Sequence, residues 1–97
     1  MGRRCSPWTI ELAKELVEIL KLRGEMTTPE IYKEIRQKAK RNTLSNNVDY
    51  NKVYRVLMKL FNARLIDRWS VNGRVAWALR KHDIGPEDVV RALMGPL

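Results

Sequence analysis

Asn72-Gly73 constrains the fold of this chain more than any other pair of residues, because it stands between two β-rich runs, 65–71 and 74–80. Two-residue loops of this composition form type I′ turns, whose twist matches the strands they join and whose central residues both need positive φ. The turn also fixes the register. Val71 pairs with Arg74, Trp69 with Ala76 and Asp67 with Ala78 on one face, while Ile66, Arg68, Ser70, Val75, Trp77 and Leu79 share the other. The second face is assigned to the core.

Three helical patterns precede the hairpin and one follows it. The first comes after Ser6-Pro7-Trp8-Thr9, where Ser6 or Thr9 serves as cap, and stops at Arg23-Gly24. Its apolar residues Ile10, Leu12, Ala13, Leu16, Val17, Ile19 and Leu20 fill half of the circumference, wider than one packing stripe requires. After an extended link at 25–27, Thr28-Pro29-Glu30 supplies an N-cap, a proline at the first helical position and an early acid. This second helix buries Ile31, Tyr32, Ile35 and Ala39, turns Lys33, Arg36 and Lys40 outward, and frays around 40–42. A polar turn over 44–48 leads to Asp49, which caps a third helix over 49–64. Gly85-Pro86-Glu87-Asp88 opens a short last helix, about 86–94, that carries Val89, Val90, Leu93 and Met94.

The third helix divides into two unlike faces. Tyr50, Val53, Tyr54, Leu57, Leu60 and Phe61 gather within an arc of about 120° and form its core side. Opposite them, within about 100°, lie Asn51, Lys52, Arg55, Lys59 and Asn62, three cations and two amides without an acid. An ordinary solvated face mixes both signs. The wider charge distribution agrees: the formal charge of +8 arises wholly between residues 31 and 81, where thirteen Lys and Arg face only Glu34, Asp49 and Asp67. Such localised positive charge suits a polyanionic partner.

The order helix, short link, helix, turn, helix, two-stranded hairpin resembles the winged helix-turn-helix superfamily over residues 9–80. The run Val53-Tyr54-Arg55-Val56-Leu57-Met58-Lys59-Leu60-Phe61-Asn62-Ala63-Arg64-Leu65-Ile66-Asp67-Arg68 is similar to that of microbial winged-helix transcriptional regulators, where a recognition helix with leucines three apart runs into a Leu-Ile strand start. In that pattern the residue before the strand is commonly Gly, and here it is Arg64. Met26-Thr27-Thr28-Pro29-Glu30-Ile31 likewise resembles the entry to the family's second helix.

The resemblance implies an α+β, mostly helical fold: a three-helix bundle with a two-stranded β-hairpin wing and a short C-terminal helix, in one domain spanning 1–97. It also implies that helix 49–64 enters the major groove of double-stranded DNA and that the hairpin tip, with Asn72, lies on an adjacent groove or backbone. Asn47, Asn51 and Arg55 are then candidates for base contact, since amides pair with adenine and guanidinium with guanine. Lys52, Lys59, Arg68 and Arg74 are candidates for phosphate, Lys40, Arg41 and Ser45 for the backbone beside the turn, and Asn46 is a further DNA-binding candidate. A protein-binding or RNA-binding module on the same fold is the alternative.

Other classes find less support. One histidine, His82, and one cysteine, Cys5, cannot build an ordinary zinc site or an internal disulfide, and no nucleophile, paired carboxylate or phosphate-binding loop stands out. An enzyme is not expected, nor is a cofactor. No apolar run is long enough for a membrane span, and Met1-Gly2-Arg3-Arg4-Cys5 lacks a signal-peptide core, so a cytoplasmic protein is expected. The wide apolar face of the first helix and the apolar residues of the last leave two outcomes open. They form the seam of a homodimer, or the last helix folds back on its own domain.

Overall fold

Short capping signals set the helix boundaries, and the hairpin turn sets the sheet. The computed structural model of the chain describes residues 7–41 and 48–94. These form an α+β, mostly helical arrangement of α1 (Pro7–Arg23), β1 (Met26–Thr27), α2 (Thr28–Arg41), α3 (Tyr50–Asn62), β2 (Ile66–Val71), β3 (Arg74–Leu79) and α4 (Pro86–Met94). Gly24, at φ 81°, ends α1, and its N–H donates to the Leu20 carbonyl at 2.8 Å. Asn72 and Gly73 have φ of 51° and 80°, as the type I′ turn requires, and every expected β2–β3 pair from Ile66–Leu79 to Val71–Arg74 is present.

The sheet has three strands rather than the expected two. Met26 and Thr27, read from sequence as a link, pair antiparallel with Trp77 and Ala76, giving the order β1-β3-β2. Two residues are too few to show strand periodicity, so only the free edge of β3 reveals the pairing. Thr28 was expected to cap α2, yet its side chain turns inward, accepting from Trp77 Nε1 at 2.8 Å and donating to the Val75 carbonyl at 3.4 Å. Thr27 and Glu30 form half of a capping box instead: the Thr27 N–H and hydroxyl donate to Glu30 Oε1 at 2.8 and 3.0 Å.

Those bonds hold the Glu30 carboxyl below its ordinary pKa, the Thr27 N–H most and its hydroxyl next; burial opposes them, and the Arg74 charge adds the least. A carboxyl lowered on folding adds stability above its unfolded pKa and loses it as the pH falls through the folded value. Glu30→Gln is therefore expected to reduce stability at neutral pH and to converge on the parent at acid pH, below the lowered pKa of Glu30. Urea melts at the two pH values check this; an equal deficit at both would remove the ionisation from the account.

The third helix ends in a Schellman motif. Arg64 N–H donates to Phe61 O at 2.9 Å, Leu65 N–H donates to Leu60 O at 3.0 Å, and Arg64 takes a left-handed φ of 65°. Arg64 thus occupies the conformation that glycine favours. Relief of Cβ strain, about 1–2 kcal/mol, outweighs the extra unfolded-chain entropy of glycine, so Arg64→Gly is expected to stabilise the fold by up to about 1 kcal/mol. The urea midpoint should rise at unchanged slope.

The helices meet the sheet over one core. Leu12, Leu16, Ile19 and Leu20 of α1, Ile31 and Ile35 of α2, Val53, Leu57 and Leu60 of α3, and Ile66 and Trp77 of the sheet are buried together. The wide apolar face of α1 is buried within the chain, because α4 also packs on α1, and Val89 of α4 is buried in the same core. Val90, Leu93 and Met94 remain half-buried. Two residues of α3 depart from the helical wheel: Tyr50, assigned to the core, is 42% exposed, and Val56, left out, is buried. Tyr50 begins the helix and lies beyond the core's rim, where its ring and that of Tyr32 stand edge to face with centroids 5.5 Å apart.

Candidate nucleic-acid interface

Asp49 fixes where α3 begins. Its backbone is extended, and its Oδ1 accepts from the Lys52 N–H at 2.8 Å, which satisfies one of the orphan donors of the first turn. Burial of Val53, Val56, Leu57 and Leu60 then sets the rotation of the helix. Asn51, Lys52, Arg55, Lys59 and Asn62 are consequently all exposed, as their spacing predicts.

Among the described residues the cations of this face are not used in structural ion pairs. Elsewhere Arg23 binds Glu34 at 3.2 Å, Lys38 binds Glu15 at 2.8 Å, Lys14 meets Glu11 at 3.6 Å and Arg80 meets Asp67 at 3.3 Å. Among the described residues no carboxylate pairs with Lys52, Arg55 or Lys59. Lys52 is steadied differently, with its Nζ 4.6 Å from the centroid of the Trp8 ring at the start of α1. A cation over an aromatic face keeps its charge for a further partner, whereas one in a salt bridge has largely spent it.

The remaining candidates divide. Asn72 and Arg74 are exposed at and beside the hairpin tip, and the Arg74 charge is felt at Glu30 near the start of α2. Arg68 is exposed as well, but it shares the inward face with Trp77 and its guanidinium lies against α3, donating to Tyr54 Oη at 3.1 Å. Lys40 and Arg41 fall in the last turn of α2 with their side chains outside the description, and Ser45, Asn46 and Asn47 lie outside the described residues.

Two features escaped the sequence reading. In the sequence Trp8 reads only as part of a capping segment, and no local pattern connects it with Lys52, which is 44 positions away in the chain. Tyr32, Arg36 and Tyr50 form a second group beside the start of α3: Arg36 donates to Tyr32 Oη at 3.3 Å and lies 5.7 Å from its ring centroid. The outward positive side of α2 was the available signal for Arg36.

Among the described residues no three of His, Cys, Asp and Glu converge to hold a metal ion, and no helix is long and apolar enough to cross a membrane. No protein-family model, curated protein or solved structure matches the chain.

Proposed function

We propose that this chain is a double-stranded DNA-binding protein of the winged helix-turn-helix type, acting as a sequence-specific transcriptional regulator. The observation that carries the proposal is the face of α3: five exposed polar residues, three of them cations without a carboxylate partner among the described residues, on a helix whose other side is anchored in the core. A helix of this width fits the major groove. In this arrangement Asn51 and Arg55, with Asn47 before them, contact base edges. Lys52, Lys59 and Arg74 neutralise phosphate, the segment Lys40, Arg41, Ser45 and Asn46 grips the backbone, and Asn72 leads the wing.

The test is a titration against duplex DNA, single-stranded RNA and heparin-competed duplex at two salt concentrations, followed by selection of duplexes from a random pool. A duplex preference with a steep salt dependence and an enriched sequence is expected. No preference for duplex would overturn the proposal. A protein partner is the second reading, supported by Trp69 and Val71, which are 36% and 37% exposed on the outer face of the hairpin. Binding to that face would survive charge removal on α3.

A further inference from the structure

We propose that Arg68 is a positioning residue that bolts the hairpin to α3, so that helix and wing present one rigid surface. Its functional half rests on the DNA-binding proposal above; its structural half does not.

Beyond Ile66 no side chain of this edge strand is buried, and on the inward face only Arg68 and Ser70 follow Ile66, so that face of its outer length has no apolar anchor. Arg68 supplies a polar one. Its Nη2 donates to Tyr54 Oη at 3.1 Å and its Nη1 approaches Met58 Sδ at 3.2 Å. Tyr54 and Met58 lie four residues apart and therefore on the same side of α3. The same guanidinium stands 5.5 Å from the Trp77 ring centroid and 5.9 Å from that of Tyr54, and the two rings meet edge to face at 5.9 Å. Trp77 in turn is fixed through Nε1 to Thr28 at the start of α2.

One planar cation thus joins β2, β3 and α3, and the contact continues to α2. No carboxylate among the described residues pairs with it, so its contacts are donor bonds and ring faces. The ring contacts draw on the charge, but the two donor bonds draw on the fork of the guanidinium. Lysine keeps the charge but lacks the fork that reaches Tyr54 and Met58 together. This separates a bolt from a phosphate contact. A phosphate contact survives Arg68→Lys and fails in Arg68→Gln, whereas a bolt fails in both.

The experiment compares Arg68→Lys, Arg68→Gln and Tyr54→Phe, singly and with Tyr54→Phe combined with Arg68→Lys. Backbone residual dipolar couplings of the free protein report the orientation of β2 and β3 relative to the helices. All three single variants are expected to reorient or average the hairpin couplings while leaving those of α1 and α2 in place. The double variant should add little, because both changes break the same bond. On the selected duplex, each single variant should weaken binding about 3- to 10-fold, with the slope of log K against log salt unchanged.

Unchanged hairpin couplings in Arg68→Lys would overturn the proposal. So would parent-like binding by Arg68→Lys together with a slope lowered by about 0.9 in Arg68→Gln, which marks a lost phosphate contact. Altered couplings in a protein that binds no duplex would uphold the bolt and remove the DNA-binding reading.

Discussion

Replacing Lys52, Arg55 and Lys59 together by alanine is expected to lower affinity for the preferred duplex by about two to four powers of ten and to reduce its salt slope by about 2 to 3. The three side chains are exposed and make no ion pair with a described carboxylate, so their loss leaves no buried charge behind and the fold should persist. Single variants divide the effect. Arg55→Ala should cost about 1–3 kcal/mol on the selected sequence and less on random DNA, as fits a residue that reads a base. Lys59→Ala should weaken both alike and take about 0.9 from the slope. Fluorescence anisotropy at several salt concentrations measures all of these quantities. Parent-like binding by the triple variant would show that α3 is not the contact surface.

The second large effect concerns stability. Trp77 has no exposed surface, and its indole N–H is bonded to Thr28, itself almost wholly buried. Trp77→Ala is expected to destabilise the fold by about 3–5 kcal/mol, through lost burial and the cavity left behind. Against a total stability of about 5–15 kcal/mol for a single domain, that is a large fraction. Trp77→Phe keeps most of the ring but deprives the buried Thr28 hydroxyl of its donor, for a smaller loss of about 1–2 kcal/mol. Calorimetry of the two variants checks the ranking. An alanine variant as stable as the phenylalanine one would mean that the core collapses onto the vacated space.

The hairpin and the four helices were legible because their signals are local. Asn72-Gly73 dictates a turn, the turn dictates the register, and Arg68 could be assigned correctly to the face of Trp77. What alternation does not reveal is the neighbour waiting on that face, so the contacts of Arg68 with Tyr54 and Met58 have no signature in it. The bond to Tyr54 spans 14 positions and depends on how α3 packs over the sheet. β1 was hidden for a related reason: its two residues become a strand only through β3, some 50 positions away. Arg64 showed merely as a departure from the usual glycine, whereas the backbone reveals a left-handed cap that the arginine itself adopts. The exposed face of α3 needed no tertiary information beyond its own amphipathicity, which is why that part of the candidate site was visible first.

The three tryptophans stand at three depths: Trp77 sealed in the core, Trp69 partly open on the outer hairpin face, and Trp8 beneath the Lys52 ammonium. The unlabelled chain is thereby its own optical instrument. Trp77 emission follows the integrity of the interior, Trp69 follows whatever settles on the hairpin, and Trp8 registers whether Lys52 stays in place or leaves the ring for a phosphate. Removing the indoles one at a time would let a single fluorescence titration distinguish unfolding, contact at the wing and contact at the helix.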